Sequence, residues 1–194
     1  MGDDDWLEEA IAAGHSRAVA DGAYIKEDFP NMFSAAFIFE STEGNGVIVG
    51  AFPEQCFSAC AYRGELMGLM AIHLILLAAN KVRPGLKGKI DIHCDCLGGM
   101  EKVAGLPANR IPTKCSHSDI LKNIMVNCRQ LTCEIEYLHV RAHQDDDVSY
   151  HLLSRPSQLN CIVDIKAKRV IWGLEGKPLP AQQVFPLGPV WQSL

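Results

Sequence analysis

The period of the apolar positions changes several times along this chain, and each change marks a predicted element. Residues 61–80 are apolar almost all the way round, which predicts a long helix packed on more than one side; Arg83-Pro84-Gly85 ends it. Upstream, Ser16 to Ile25, Met32 to Glu40 and Val47 to Phe52 are short apolar runs. Pro30-Asn31 and Glu43-Gly44-Asn45-Gly46 separate them, so residues 16–52 predict an antiparallel meander. Before it, residues 3–14 predict a short acidic helix with Trp6, Leu7, Ile11 and Ala12 along one side and Gly14 as its stop. Downstream, Lys89 to Asp95 alternates as a strand, then a Gly-rich turn, a short helix and a loop holding Pro107 and Pro112 follow. Ser118 to Gln130 predicts a helix capped by Ser116 or Ser118. Cys133 to Val140 predicts a strand, its Ile135, Tyr137 and His139 packing inward against an outer Glu134, Glu136 and Leu138. A last helix spans Pro156–Arg169, with the proline in its first turn.

The order β-β-β-α-β-α-α-β-α predicts an α/β fold: a mixed five-stranded sheet, an antiparallel meander followed by parallel strands, flanked by helices. The expected organisation is an acidic helix or linker over 1–15, one domain over 16–172, and a Pro-rich tail over 173–194. A length of 194 residues fits one such domain on a prior of roughly 150 residues per domain.

Composition narrows the function classes. An apolar fraction of 48% is too high for a disordered chain. The stretch Leu66–Ala79 is interrupted by Gly68 and His73 and falls short of the ~18 residues of a membrane span, so no membrane partner is expected. Asp3, Asp4, Asp5 and Trp6 are the opposite of a secretory signal. The expectation is a soluble intracellular chain, cytoplasmic or nuclear and not secreted, with reduced thiols. The eight cysteines include no Cys-x2-Cys pair and read mainly as small buried hydrophobes. Charge is uneven: residues 1–80 hold 3 basic and 12 acidic side chains, residues 81–169 hold 14 and 10. Such asymmetry is compatible with nucleic-acid contact or with an ordinary solvated surface.

Four carboxylates stand out by position. Asp21 lies in the first strand beside Gly22, Glu65 at the start of the long helix, Asp95 at the end of the fourth strand and Asp164 in the last helix. Open α/β sheets place their sites at the carboxyl ends of strands, where Asp95 falls. Glu65 and Asp164 sit among apolar residues, where an ionised carboxylate is costly unless it is paired or binds a metal. Asp145, Asp146 and Asp147 read as a solvated loop.

Read in order, Asp21-Gly22-Ala23, Tyr62-Arg63-Gly64-Glu65-Leu66-Met67-Gly68-Leu69, Ile92-His93-Cys94-Asp95, His143 and Asn160-x3-Asp164 resemble ribonuclease H type 1. The similarity is closest to the ribonuclease H domains of retroelement polyproteins, through Ala142-His143-Gln144-Asp145-Asp146, Leu153-Ser154-Arg155 and Gln158-Leu159-Asn160, and it spans residues 16–169. The resemblance implies a ribonuclease H-like fold and a metal-dependent endonuclease that hydrolyses the RNA strand of RNA–DNA hybrids. Two Mg²⁺ ions about 4 Å apart, with Mn²⁺ as a substitute, would activate water and stabilise the leaving oxygen. It further implies that Asp21 bridges both ions, that Glu65, Asp95 and Asp164 complete their shells, and that His143 assists proton transfer or product departure. Gly22, Asn123 and Asn127 are the candidate substrate contacts, the asparagines toward the 2′-hydroxyls that distinguish RNA from DNA. A reverse transcriptase domain in a parent polyprotein is the implied partner besides the hybrid itself.

The chain departs from the family pattern at Ala23, where Ser is common, and at Cys96, where a hydroxyl residue often follows the Asp. Other readings stay open. The fold without catalysis would be a catalytically weak or inactive nucleic-acid-binding module. A proofreading exonuclease would carry Asp-x-Glu where this chain has Asp21-Gly22-Ala23, and an integrase would carry Glu in place of Asp164.

Overall fold

The computed structural model describes residues 5–105, 111 and 114–173. Its elements run α1 (Trp6–Ala13), β1 (Ser16–Ala23), β2 (Met32–Ser41), β3 (Val47–Gln55), α2 (Ala61–Val82), β4 (Lys89–Cys94), α3 (Leu97–Gly105), α4 (Ser118–Cys128), β5 (Glu134–His139) and α5 (Arg155–Trp172). Two single 3-10 turns, Gln144–Asp146 and Tyr150–Leu152, interrupt the segment expected as a loop between β5 and α5. The loop prolines 107 and 112, and residues 174–194 of the Pro-rich tail, lie outside the described residues.

The five strands form one sheet in the order β3-β2-β1-β4-β5. β1 pairs antiparallel with β2 and β2 with β3, whereas β4 lies parallel to both β1 and β5. Alternation along the strands sorts the apolar side chains onto two faces. Ala18 and Ala20 of β1 and Phe33, Ala35, Phe37 and Phe39 of β2 meet α2 in the larger core. Val19, Ala23, Ala36 and Ile38 meet Leu159, Val163, Ala167 and Ile171 of α5 on the opposite face. Full burial of a side chain such as Phe33, Phe39 or Leu66 is worth about 1.5–3 kcal/mol against exposure. Leu7 and Ile11 of α1 are part of the larger core, so the acidic N-terminal helix packs on the sheet domain.

Helix α2 is long and apolar enough by length and composition to cross a membrane. Here its Leu66, Leu69, Ile72, Leu76 and Ala79 are buried, packed against β1, β2 and α4.

Several boundaries differ from expectation for identifiable reasons. β1 stops at Ala23, where its pairing with β2 ends at Ser34; Tyr24 then turns to donate its hydroxyl to the Pro30 carbonyl at 3.0 Å. β3 runs on through Pro53 to Gln55, which an edge strand tolerates because one row of its N–H groups needs no partner. α4 is preceded at its N-cap by His117, in a left-handed conformation (φ 55°), and not by either serine. His139 ends β5 exposed rather than packed, while Ile135 and Tyr137 reach the core as expected.

Candidate functional site

Three glycines bring the first carboxylates together. A Cβ on Gly22 would stand 2.2 Å from the Glu65 backbone nitrogen, and one on Gly64 would stand 2.8 Å from the Ser34 carbonyl oxygen. Gly68 repeats the contact one turn later, against the Asp21 and Ala36 carbonyls. The first turn of α2 therefore lies directly on β1, backbone to backbone, and Glu65 arrives beside Asp21. Asp95 reaches the same place from the other side, because β4 runs parallel to β1 and ends one residue before it. Carboxylate oxygens of Asp21, Glu65 and Asp95 all lie within 4.8 Å of one another.

Asp164 is a near neighbour. Asp21 shares the sheet face of Val19 and Ala23, which α5 covers, and Asp164 of α5 acts electrostatically on both Asp21 and Asp95. Its own carboxylate accepts a hydrogen bond from Lys168 Nζ at 2.7 Å, one helical turn on. Arg155, at the first turn of α5, donates through Nη2 to the buried Glu40 of β2 at 2.7 Å and fixes this helix against the sheet.

The electrostatics of the trio are unfavourable without a counter-charge. Burial pushes the Asp21 carboxyl up to about 8, with Asp95, Asp164 and Glu65 adding to the rise. The Gly22 N–H, 2.6 Å from Asp21 Oδ1, works against it. Burial also raises Glu65, opposed by a hydrogen bond from the Cys96 thiol and helped by Asp95. Asp95 is raised by burial; Asn160, which donates from Nδ2 at 3.5 Å, and the nearby His143 oppose this, while Asp164 reinforces it. Asp95 Oδ1 is buried with no hydrogen-bond partner. Like charges gathered at one site, with an orphaned oxygen among them, fit a cation. All-oxygen donors suit a hard divalent ion, and oxygens trans across Mg²⁺ stand about 4 Å apart, close to the spread of the trio.

Of the other expected residues, His143 sits exposed at the start of the 3-10 turn Gln144–Asp146, in a left-handed conformation (φ 50°) that a non-glycine residue adopts only under local constraint. Gly22 gives its N–H to Asp21 and its α-carbon face to α2. The asparagines of α4 do not meet the expectation equally. Asn123 is half-buried, whereas Asn127 is buried with its Nδ2 unpartnered, so it is not presented to a ligand at the surface. Two residues of the site had no role in the sequence reading. Asn160 was visible there only as part of a motif, and Cys96 only as a departure from one; the first holds Asp95 and the second Glu65.

No protein-family model and no curated protein matches the sequence. Solved structures do match. The N-terminal ribonuclease H domain of a Mycobacterium tuberculosis protein aligns with a TM-score of 0.54 at 14% identity, over 82% of this chain and 96% of that one. The ribonuclease H domain of PFV gives 0.58 at 13%, over 82% and 95%. The protease-reverse transcriptase of prototype foamy virus gives 0.58 at 16%, over 82% of this chain and 21% of that one. The fold is that of ribonuclease H domains, retroviral ones included.

Proposed function

We propose that this chain is a metal-dependent endonuclease that hydrolyses the RNA strand of RNA–DNA hybrids. The observation that carries the proposal is the carboxylate trio, Asp21, Glu65 and Asp95, within 4.8 Å at the carboxyl ends of β1 and β4 in a ribonuclease H-like sheet. Asp21, Glu65 and Asp95 would hold the divalent ions, and Asp164, whose carboxylate accepts from Lys168 in this structure, would be the fourth carboxylate toward them. Bound Mg²⁺, or Mn²⁺ in its place, supplies an activated water and charge stabilisation at the phosphate. Asn160 and Cys96 orient Asp95 and Glu65, and exposed His143 moves a proton near the departing oxygen. Asn123 is retained as a contact to the hybrid.

The domain covers residues 16–172 of a retroelement-derived protein acting in the cytoplasm or nucleus. The foamy virus chain, of which the match covers 21%, supports a parent polyprotein with a reverse transcriptase. The test is cleavage of a labelled RNA–DNA hybrid in Mg²⁺ by wild type and by Asp95→Asn, with duplex RNA and duplex DNA as controls. Hybrid-specific cutting that is lost in the variant is the expected result. A wild type that binds hybrid but cuts nothing, in Mg²⁺ or Mn²⁺ at low salt, refutes it in favour of a binding module.

A further inference from the structure

We propose that the cavity between the ends of β4 and β5 and the first turn of α5 binds a phosphate monoester carried on a small, partly apolar molecule. The cavity measures about 520 Å³, within the range of small-molecule sites. His93 of β4 lines it. Ile90, Ile92 and Cys94 belong to the core beneath α2, so strand alternation turns His93 to the opposite face, where the first turn of α5 stands. His93 is only 8% exposed, and among the described residues its ring nitrogens have no hydrogen-bond partner. A buried polar side chain without a partner is costly, and one that lines a cavity gains its partner when a ligand enters.

A second donor follows from counting protons. Ser154 Oγ accepts the Ser157 backbone N–H at 3.4 Å and lies 2.8 Å from Ser157 Oγ, which accepts from Gln144 Nε2 at 2.9 Å. The two hydroxyls carry two protons, and their mutual bond uses one. The other has no acceptor among the described residues, and both serines line the cavity. Arg141 and the exposed His139 line it too. The pair of Arg141 with Asp147, at 3.3 Å, is exposed on both sides, so it yields to a ligand at little cost. The 18-residue α5 presents its positive end here. Asp91 and Glu136 act on His93 together with Arg17, and Lys89 pairs with both carboxylates. Donors from separate elements suit the several oxygens of a tetrahedral phosphate better than those of a planar carboxylate. Leu138, Val140 and Pro156 form an apolar wall for the rest of the molecule.

The test titrates the isotope-labelled full chain with adenosine monophosphate, inorganic phosphate and adenosine, following amide NMR shifts. EDTA is present throughout, so that no metal recruits phosphate to the carboxylate trio. Adenosine monophosphate is expected to saturate with a Kd of about 1 mM or below, shifting the amides of His93, Ser154 and Ser157. Inorganic phosphate should shift the same amides more weakly, and adenosine should not saturate. His93→Phe, which keeps a flat ring without nitrogens, should weaken binding about tenfold. Arg141→Ala, at an exposed position that folding does not depend on, should weaken it about fivefold. No saturation by about 10 mM overturns the proposal. Adenosine binding as tightly as its monophosphate overturns it too, as does unchanged affinity in the Arg141→Ala protein or in a His93→Phe protein that circular dichroism shows to be folded.

Discussion

Replacing Asp21 by Asn should stabilise the metal-free protein, although it removes a group at the centre of the site. In the folded chain the Asp21 carboxyl titrates at about 8, against 3.8 for a free aspartate, because it is buried and faces Asp95, Asp164 and Glu65. Between those two values the native state holds one more proton than the unfolded state, so stability falls as pH rises across that window. The contribution is fully present below about pH 4 and gone once pH has passed the folded value. At 1.36 kcal/mol per pH unit the interval amounts to about 6 kcal/mol, a ceiling that Asp21 shares with its coupled neighbours. Asn keeps the shape and cannot ionise, so Asp21→Asn should be about 2–5 kcal/mol more stable than wild type at pH 8 in chelator. For a chain of this length that is a rise in Tm of roughly 5–15 °C. The assay is thermal unfolding followed by circular dichroism at pH 5, 6, 7 and 8, in EDTA and in Mg²⁺. Wild type should lose stability from pH 5 to 8 in EDTA, and Mg²⁺ should restore it by about 2.7 kcal/mol at a hundredfold excess over its Kd. The variant should show a flatter profile and little response to Mg²⁺. An Asp21→Asn protein no more stable than wild type at pH 8 in EDTA would refute the reasoning.

Gly22→Ala drives a methyl to within 2.2 Å of the Glu65 backbone nitrogen. It should cost about 3 kcal/mol or more in urea unfolding. Glu40→Ala leaves Arg17 and Arg155 without the buried carboxylate that both contact. Because Arg155 is half-exposed, the expected loss is about 2 kcal/mol, read by the same unfolding. Cys96→Ser keeps a donor for Glu65 and should retain the Mg²⁺ concentration dependence of Tm; Cys96→Ala should need about tenfold more Mg²⁺ for the same shift.

The sequence by itself determined the elements. Period and turn chemistry are local, so the meander, the buried α2, the parallel strands and the Pro156 first turn of α5 could be read from neighbouring residues. It also singled out Asp21 and Asp95 by their places in strands and Glu65 and Asp164 by their apolar surroundings, and the resemblance of the motifs in order joined the four. Other features depend on residues far apart in the chain, and only the tertiary structure decided them. The α2–β1 approach that joins Glu65 to Asp21 requires Gly22 and Gly64 to face each other, 42 residues apart by their numbers. Asn127 looked available because its own residue type is polar, yet packing within α4 and its neighbours buries it. The inward role expected of His139 failed at the end of β5, where alternation no longer guarantees a neighbour above the strand. Burial and charge coupling are set by what folding brings within a few ångströms, and no local pattern encodes that distance.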